Sequence, residues 1–216
     1  MNTWQYENLF YLTSDKKRIL KLLDHYEIYK KILNIKGDII ECGVFKGASL
    51  IRFLTFRDLI EKKNKRKVIG FDAFGKFPHP KKEYGNNKAD KVFANRHDNN
   101  IGLGISVKLL KKYLKKKNLT NYDLVKGDVL KTLPNYLTKN KKLKISLLHL
   151  DLDVYEPTRF VLNTLYKYVS KNGIVLIDDY THIKGATLAI DEFIKKNKLK
   201  VYKVSKNGRP YYFQKK

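Results

Sequence analysis

The chain has 216 residues, with 46 Lys and Arg against 21 Asp and Glu, a formal net charge of +25. That length suits one well-buried core, or at most two small ones. No apolar run approaches the roughly 18 to 20 residues of a membrane span. The lone Cys42 excludes an intramolecular disulfide, and no basic, apolar and small-residue leader pattern opens the chain, so the expectation is a cytoplasmic protein.

A balance this basic ordinarily brings nucleic acid forward. Here lysine far outnumbers arginine and travels with abundant Asn, Ile and Tyr, as expected of a compositional bias spread over solvated faces. Clusters such as Lys111-Lys112, Lys139-Lys142 and Lys195-Lys198 fall between apolar stretches. No zinc-finger cysteines, GXXG loop or aromatic RNP pattern accompanies them. An anionic small substrate, or an anionic membrane face nearby, fits better than RNA or DNA.

In chain order, an aromatic segment from Trp4 to Tyr11 precedes Thr13-Ser14-Asp15, a polar cluster suited to cap a helix over 16–33 with an apolar stripe from Ile19 to Tyr29. Strand 38–42 is followed by a helix over 48–61, and strand 67–71 ends at Asp72. Residues 73–98 hold Gly75, Pro78, Pro80, Gly85 and Asn86-Asn87 without a sustained period. They read as a binding loop, with local helix around 88–96. A helix over 105–117, a strand at 122–126 and a short element with Leu130, Leu133 and Tyr136 come next. Strand 145–150, a helix over 157–169 and strand 174–177 follow. The chain ends with a helix near 186–195 and a hairpin of 200–204 and 210–213 around Asn207-Gly208. Strands apolar nearly throughout are buried on both faces, so the expectation is a mostly parallel α/β sheet with an antiparallel last strand. There is no internal repeat, and one domain over 1–216 is expected, with 1–36 as a helical lid segment and 73–98 as a substrate loop.

The chemistry concentrates at strand ends. Glu41-Cys42-Gly43-Val44-Phe45-Lys46-Gly47 joins a strand to a helix. Gly43 permits a tight turn and Gly47 a close approach to a ligand. With Asp72 placed to hold ribose hydroxyls, this reads as a nucleoside-cofactor site. The three-glycine dinucleotide fingerprint is absent, which disfavours NAD. Asp128 either faces the adenine or caps a helix. Asp151, Asp178 and Asp179 follow two buried strands at the edge where open α/β sheets bind ligands. Carboxylates converging there repel one another unless protonated, paired or metal-bound. Magnesium, which takes one or two carboxylates and keeps waters, suits them, with Asp153 a further ligand or a supporting group. Such a cation would ease removal of a sugar hydroxyl proton. His182 reads as a base or substrate contact, His149 as a packed core histidine before a ligand, His79 as a loop group near substrate, and His97 as a loop or cap residue. Tyr6, Phe10, Tyr11, Tyr84 and Tyr155 form a lid, a dimer contact or core. Nothing supports a Ser-His-Asp or Cys-His nucleophile.

The motifs ECGVFKGASL, GFDAFGKFP, GDVLKTLP, HLDLDVYEPT, IVLIDDY and GATLAIDEF occur in an order that resembles the TylF/MycF-type, macrocin O-methyltransferase-like sugar O-methyltransferases. The resemblance runs over most of the chain from HYEIYK onward. It implies the class I methyltransferase fold, Rossmann-like with seven strands and helices on both faces, and S-adenosylmethionine as cofactor. It also implies metal-assisted transfer, by Mg2+ or another divalent cation, to a sugar hydroxyl on a natural-product glycoside, a nucleotide-linked sugar or a surface polysaccharide. On it, Glu41, Gly43, Gly47 and Ser49 cradle the methionine end of the cofactor. Asp72 holds ribose, Asp128 lies beside adenine, and Asp151, Asp178 and Asp179 bind metal. Asp151 also helps deprotonate the acceptor, and a homodimer is implied. The competing readings are a catechol-type O-methyltransferase, a basic RNA-modifying protein, and a scaffold without activity.

Overall fold

The structure, a computed structural model, describes residues 2–61, 66–78 and 88–216. Its element order is α1 (Thr3–Thr13), α2 (Lys16–Ile32), β1 (Asp38–Cys42), α3 (Ala48–Ile60), β2 (Val68–Asp72), α4 (Lys88–Asn100), α5 (Val107–Lys116), β3 (Tyr122–Lys126), α6 (Val129–Lys139), β4 (Ile145–Leu150), α7 (Tyr155–Leu165), β5 (Val169–Ile177), α8 (Lys184–Asn197), β6 (Tyr202–Lys203) and β7 (Tyr211–Gln214). They build a seven-stranded sheet in the order β3-β2-β1-β4-β5-β7-β6. The first five pair in parallel, and β7 runs antiparallel to both β5 and β6.

Alternation along each strand divides the core between two faces. Ile40, Cys42, Ile69, Phe71, Leu148 and Val175 pack toward α6, α7 and α8. Ile39, Val68, Leu147, Ile174 and Leu176 pack toward α2, α3 and α5. Every residue of β4 is buried, which is why that strand reads as a continuous apolar run. Two arginines are structural: Arg57, fully enclosed, donates to the carbonyls of Arg66, Thr120 and Asn121, and Arg66 donates to those of Ile32, Ile35 and Gly37. They satisfy carbonyls at the amino-terminal edge of the sheet and the end of α2.

The local helix expected around 88–96 is present as the longer, 13-residue α4. Two expectations need correction. Strand β5 begins five residues before the expected Ile174, because the polar Ser170, Lys171 and Asn172 hid a segment tied by Asn172 and Gly173 to the chain end at Lys215. The aromatic N-terminal segment is helical, but α1 has no buried residue, so its rings are not core. Among the described residues no helix is long and apolar enough to cross a membrane.

Candidate active site

The strand order reverses direction between β1 and β4, and ligand crevices of open α/β sheets form at such a switch point. Gly43 and Asp151 follow these two strands. The Asp151 N–H donates to the Cys42 carbonyl at 2.9 Å, and Gly43 has φ +95°. A Cβ on Gly43 would stand 1.8 Å from the Asp151 carbonyl oxygen, so only glycine fits there.

Asp72, at the end of β2, accepts from the backbone N–H of Val44 (2.8 Å), Phe45 (2.9 Å) and Phe74 (2.5 Å). It thereby staples the turn between β1 and α3. A carboxylate has about four acceptor positions, so one remains for a ligand hydroxyl. Around it opens a cleft lined by Gly43, Phe45, Phe71, Gly75, Gly127, Asp128, Leu130, Asp151 and Asp153. Asp128 lines this cleft, and its Oδ1 caps α6 by accepting from the Leu130 N–H, as the capping reading expected. His97 lies inside α4 rather than at its cap, packs edge-on against Phe45 and lines the same cleft. His79 and Tyr84 lie outside the described residues.

Glu41 and Ser49 do not reach the cleft. Glu41 is 0 % exposed, accepts from the Ser49 hydroxyl, and stands 3.4 Å from His149 Nδ1 on the neighbouring strand. His149 is enclosed with His25 and Phe53. Burial pushes its imidazole down, but Glu41, with Asp151 and Asp178, more than offsets this and holds it above its usual value. Burial, then His149, holds His25 well below its usual value. Gly47, with φ +85°, opens α3 behind the turn, facing Leu110.

The carboxylates separate into two environments. Asp151, Asp153 and Asp179 can bring one oxygen each within 4.8 Å of one another. Burial raises all three. Asp178 adds to the rise at Asp151, and Asp151 is the next cause at Asp153 and Asp179. Asp153 has φ +63°, a conformation that Asp tolerates better than most residues. Asp178 turns instead to Lys21 of α2, whose Nζ lies 2.5 Å from its Oδ2 and 3.8 Å from Asp151 Oδ2. Burial would raise Asp178, yet Lys21 and His149 outweigh it and hold the group below its usual range. Of the three expected metal ligands, then, Asp151 and Asp179 come together with Asp153, while Asp178 has an internal counter-charge. The donor set suits a hard cation: it is all oxygen, and Asp179 Oδ2 is buried without a hydrogen-bond partner.

Beyond Asp178 lies a second cavity of about 650 Å³, lined by residues of α2, of the β6–β7 hairpin, and by His182. His182 Nδ1 lies 2.9 Å from the Tyr180 carbonyl. Lys21 carries no sequence signal of its role, because its partner lies 157 residues away. Gly127, with φ +133°, and the apolar walls Phe45, Phe71 and Leu130 were also unmarked as site residues.

Comparison with known proteins bears on the fold and the family. Demethyldecarbamoylnovobiocin O-methyltransferase of Streptomyces niveus is 28% identical over 164 residues, 74% of this chain and 59% of that protein, so the chain spans less than two thirds of that relative. The structure of the O-methyltransferase NovP superposes with a TM-score of 0.76 at 23% identity, covering 90% of this chain and 79% of that one. The apo structure of CalS11, described as a TDP-rhamnose 3'-O-methyltransferase, gives a TM-score of 0.71 at 26% identity, covering 99% and 86%. The fold is that of class I S-adenosylmethionine-dependent methyltransferases, a mixed, mostly parallel seven-stranded sheet with helices on both faces. A family model described as macrocin-O-methyltransferase (TylF) matches residues 12–215, and the chain belongs to that family.

Proposed function

We propose that this chain is an S-adenosylmethionine-dependent O-methyltransferase whose acceptor is a sugar hydroxyl and whose carboxylates hold a divalent cation. The observation that carries this reading is that neighbouring carboxylates, bridged by Lys21, face two cavities. Asp151 and Asp153 line the cleft at the switch point, and Asp178 lines the cavity beyond it. A donor on one side and an acceptor on the other would meet at these carboxylates.

The cleft takes the cofactor, with Gly43 and Gly127 offering bare backbone, Phe45, Phe71 and Leu130 apolar walls, and Asp72 its remaining acceptor position. Asp128 stands at the same wall. When bound, the cofactor supplies an electrophilic methyl group, and a cation held by Asp151, Asp153 and Asp179 supplies positive charge that lowers the acceptor hydroxyl's pKa. Asp151, which lines the cleft and lies 3.8 Å from the Lys21 Nζ that also holds Asp178, accepts the hydroxyl proton, and His182 contacts the acceptor from the far cavity. The protein's contribution is positioning and charge, without a covalent enzyme intermediate. Glu41 and Ser49 act from beneath, as a buried support for β1 and α3. Residues 73–78 and 88–98 we assign to the cofactor side, since Gly75, Lys76, Phe77, Asp90 and His97 line that cleft. We assign α1, with Trp4 73 % and Leu12 83 % exposed, to contact with a second copy of the chain.

The test is calorimetric titration of S-adenosylmethionine with magnesium or with EDTA, followed by labelled-methyl transfer to sugars, nucleotide sugars and catechols. One saturable site and label in a sugar are expected. Absence of cofactor binding to folded protein would overturn the reading, and label in catechols alone would replace the acceptor.

A further inference from the structure

Building on that reading of the second cavity as the acceptor side, we infer that the acceptor carries a phosphate group and that Lys17, Arg18 and Arg209 bind it. In so lysine-rich a chain a basic surface carries little information, but the placement of the scarcer arginines does. Arg57 and Arg66 are buried structural groups, and Arg159 pairs with Glu156 at 3.3 Å. Arg18 and Arg209 both line the second cavity, and neither forms a close ion pair among the described residues, Arg209 acting on Asp178 and Asp153 only at longer range.

Two of the three acids of the same cavity are already committed, and the third, Asp24, is almost fully buried. Asp15 caps α2 by accepting from the Lys17 N–H at 2.7 Å. Asp178 holds Lys21. Asp24 is 1 % exposed and lies under Gly208 of the hairpin, where a Cβ would meet its Oδ2 at 2.0 Å. The cavity is thus left with cations from two directions, the first turn of α2 and the β6–β7 hairpin. Half-buried Arg52 of α3, although not in the cavity wall, is near enough to Arg18 that burial and then repulsion from Arg18 lower its pKa. Guanidinium groups bind phosphate oxygens through paired, charge-assisted hydrogen bonds, and an anion between them relieves their mutual repulsion. The volume of about 650 Å³ exceeds what one sugar ring fills and lies within the range of pockets for whole small ligands.

This chemistry fits a sugar linked through phosphate, whether to a nucleoside diphosphate or as a simple sugar phosphate. The full chain would be titrated with uridine diphosphate, inorganic pyrophosphate and glucose 1-phosphate, alone and with saturating S-adenosylhomocysteine. Wild type is compared with R18Q/R209Q and with K111Q/K112Q, which removes equal charge from exposed positions of α5. Expected is one site, not displaced by S-adenosylhomocysteine, weakened about tenfold or more in R18Q/R209Q and unchanged in K111Q/K112Q. Tightest binding of uridine diphosphate would assign the phosphate to a nucleotide-linked acceptor, and equal or better binding of the two simpler probes to a sugar phosphate. Equal weakening in both variants, displacement by S-adenosylhomocysteine, or no binding of any probe would overturn the inference. Failure of the methyl donor to bind would instead remove the proposed activity and leave the anion result readable.

Discussion

Asp178 and Asp179 are adjacent in sequence and opposite in electrostatics. Lys21 and His149 outweigh burial at Asp178, whereas burial, Asp151 and Asp153 drive Asp179 up. Raised carboxylates keep their protons to higher pH in the folded chain than in the unfolded one. The metal-free protein therefore loses stability as pH rises above the ordinary carboxylate range of about 4. A divalent cation must displace those protons, so its stabilising shift in Tm is expected to grow between pH 5 and pH 8, a range chosen on the same principle. Asp179→Asn should remove most of that shift and raise metal-free stability. Asp178→Asn should keep Mn2+ affinity within a few-fold but cost about 1–3 kcal/mol, because Lys21 loses its partner in a site only partly open to water. Denaturant unfolding and Mn2+ titration of both variants check this, and equal loss of metal affinity in the two would return Asp178 to the ligand set. The carboxylates were legible in the sequence because strand ends are. Lys21 was not, because it sits in a helix whose charges read as a solvated face.

At the scale of elements, the turn from β1 into α3 decides the cofactor cleft. Its peptide N–H groups at Val44 and Phe45 are fixed by Asp72 from the next strand, and its glycine touches the backbone leaving β4. Gly43→Ala is expected to cost about 2 kcal/mol or more, from positive φ and a backbone clash together. It should also weaken S-adenosylmethionine binding. Gly47→Ala meets only the end of the Leu110 side chain at 2.9 Å, which can rotate, so its loss should be smaller and largely in stability. Thermal unfolding and cofactor titration of the pair separate the two effects. Comparable loss of cofactor affinity in both would mean that the turn is not the cradle. The first and fourth strands were legible to the residue because buried parallel strands are short apolar runs between glycines and polar turns, and so was the third, an edge strand without a buried residue between Asn121 and Gly127. The amino-terminal part of β5 and the extent of α4 were not. Tertiary pairing with the chain end makes the first, and a sequence rich in Asn, Lys and Asp hides the second.

For the whole molecule, charge and exposed apolar surface pull in opposite directions. A net charge of +25 sets copies of the chain against one another. Yet α1 presents Trp4, Tyr6, Leu9, Tyr11 and Leu12 to solvent with no residue buried against its own fold. If a second copy covers this helix, association is hydrophobic and opposed by long-range repulsion, so added salt should favour it. The phosphate site should respond in the opposite sense, since screening weakens attraction between its cations and an anion. Light scattering over a salt series is expected to give a dimer that strengthens with ionic strength and dissociates in W4E/L12E, while calorimetry on the same samples gives weaker binding of uridine diphosphate. A monomer at every salt concentration would remove the assignment of α1. A dimer unaffected by W4E/L12E would move the interface elsewhere. The opposite salt trends matter because they come from one charge distribution. Both follow if the excess lysine acts as a diffuse field, with specific recognition confined to the few cations that the fold leaves unpaired.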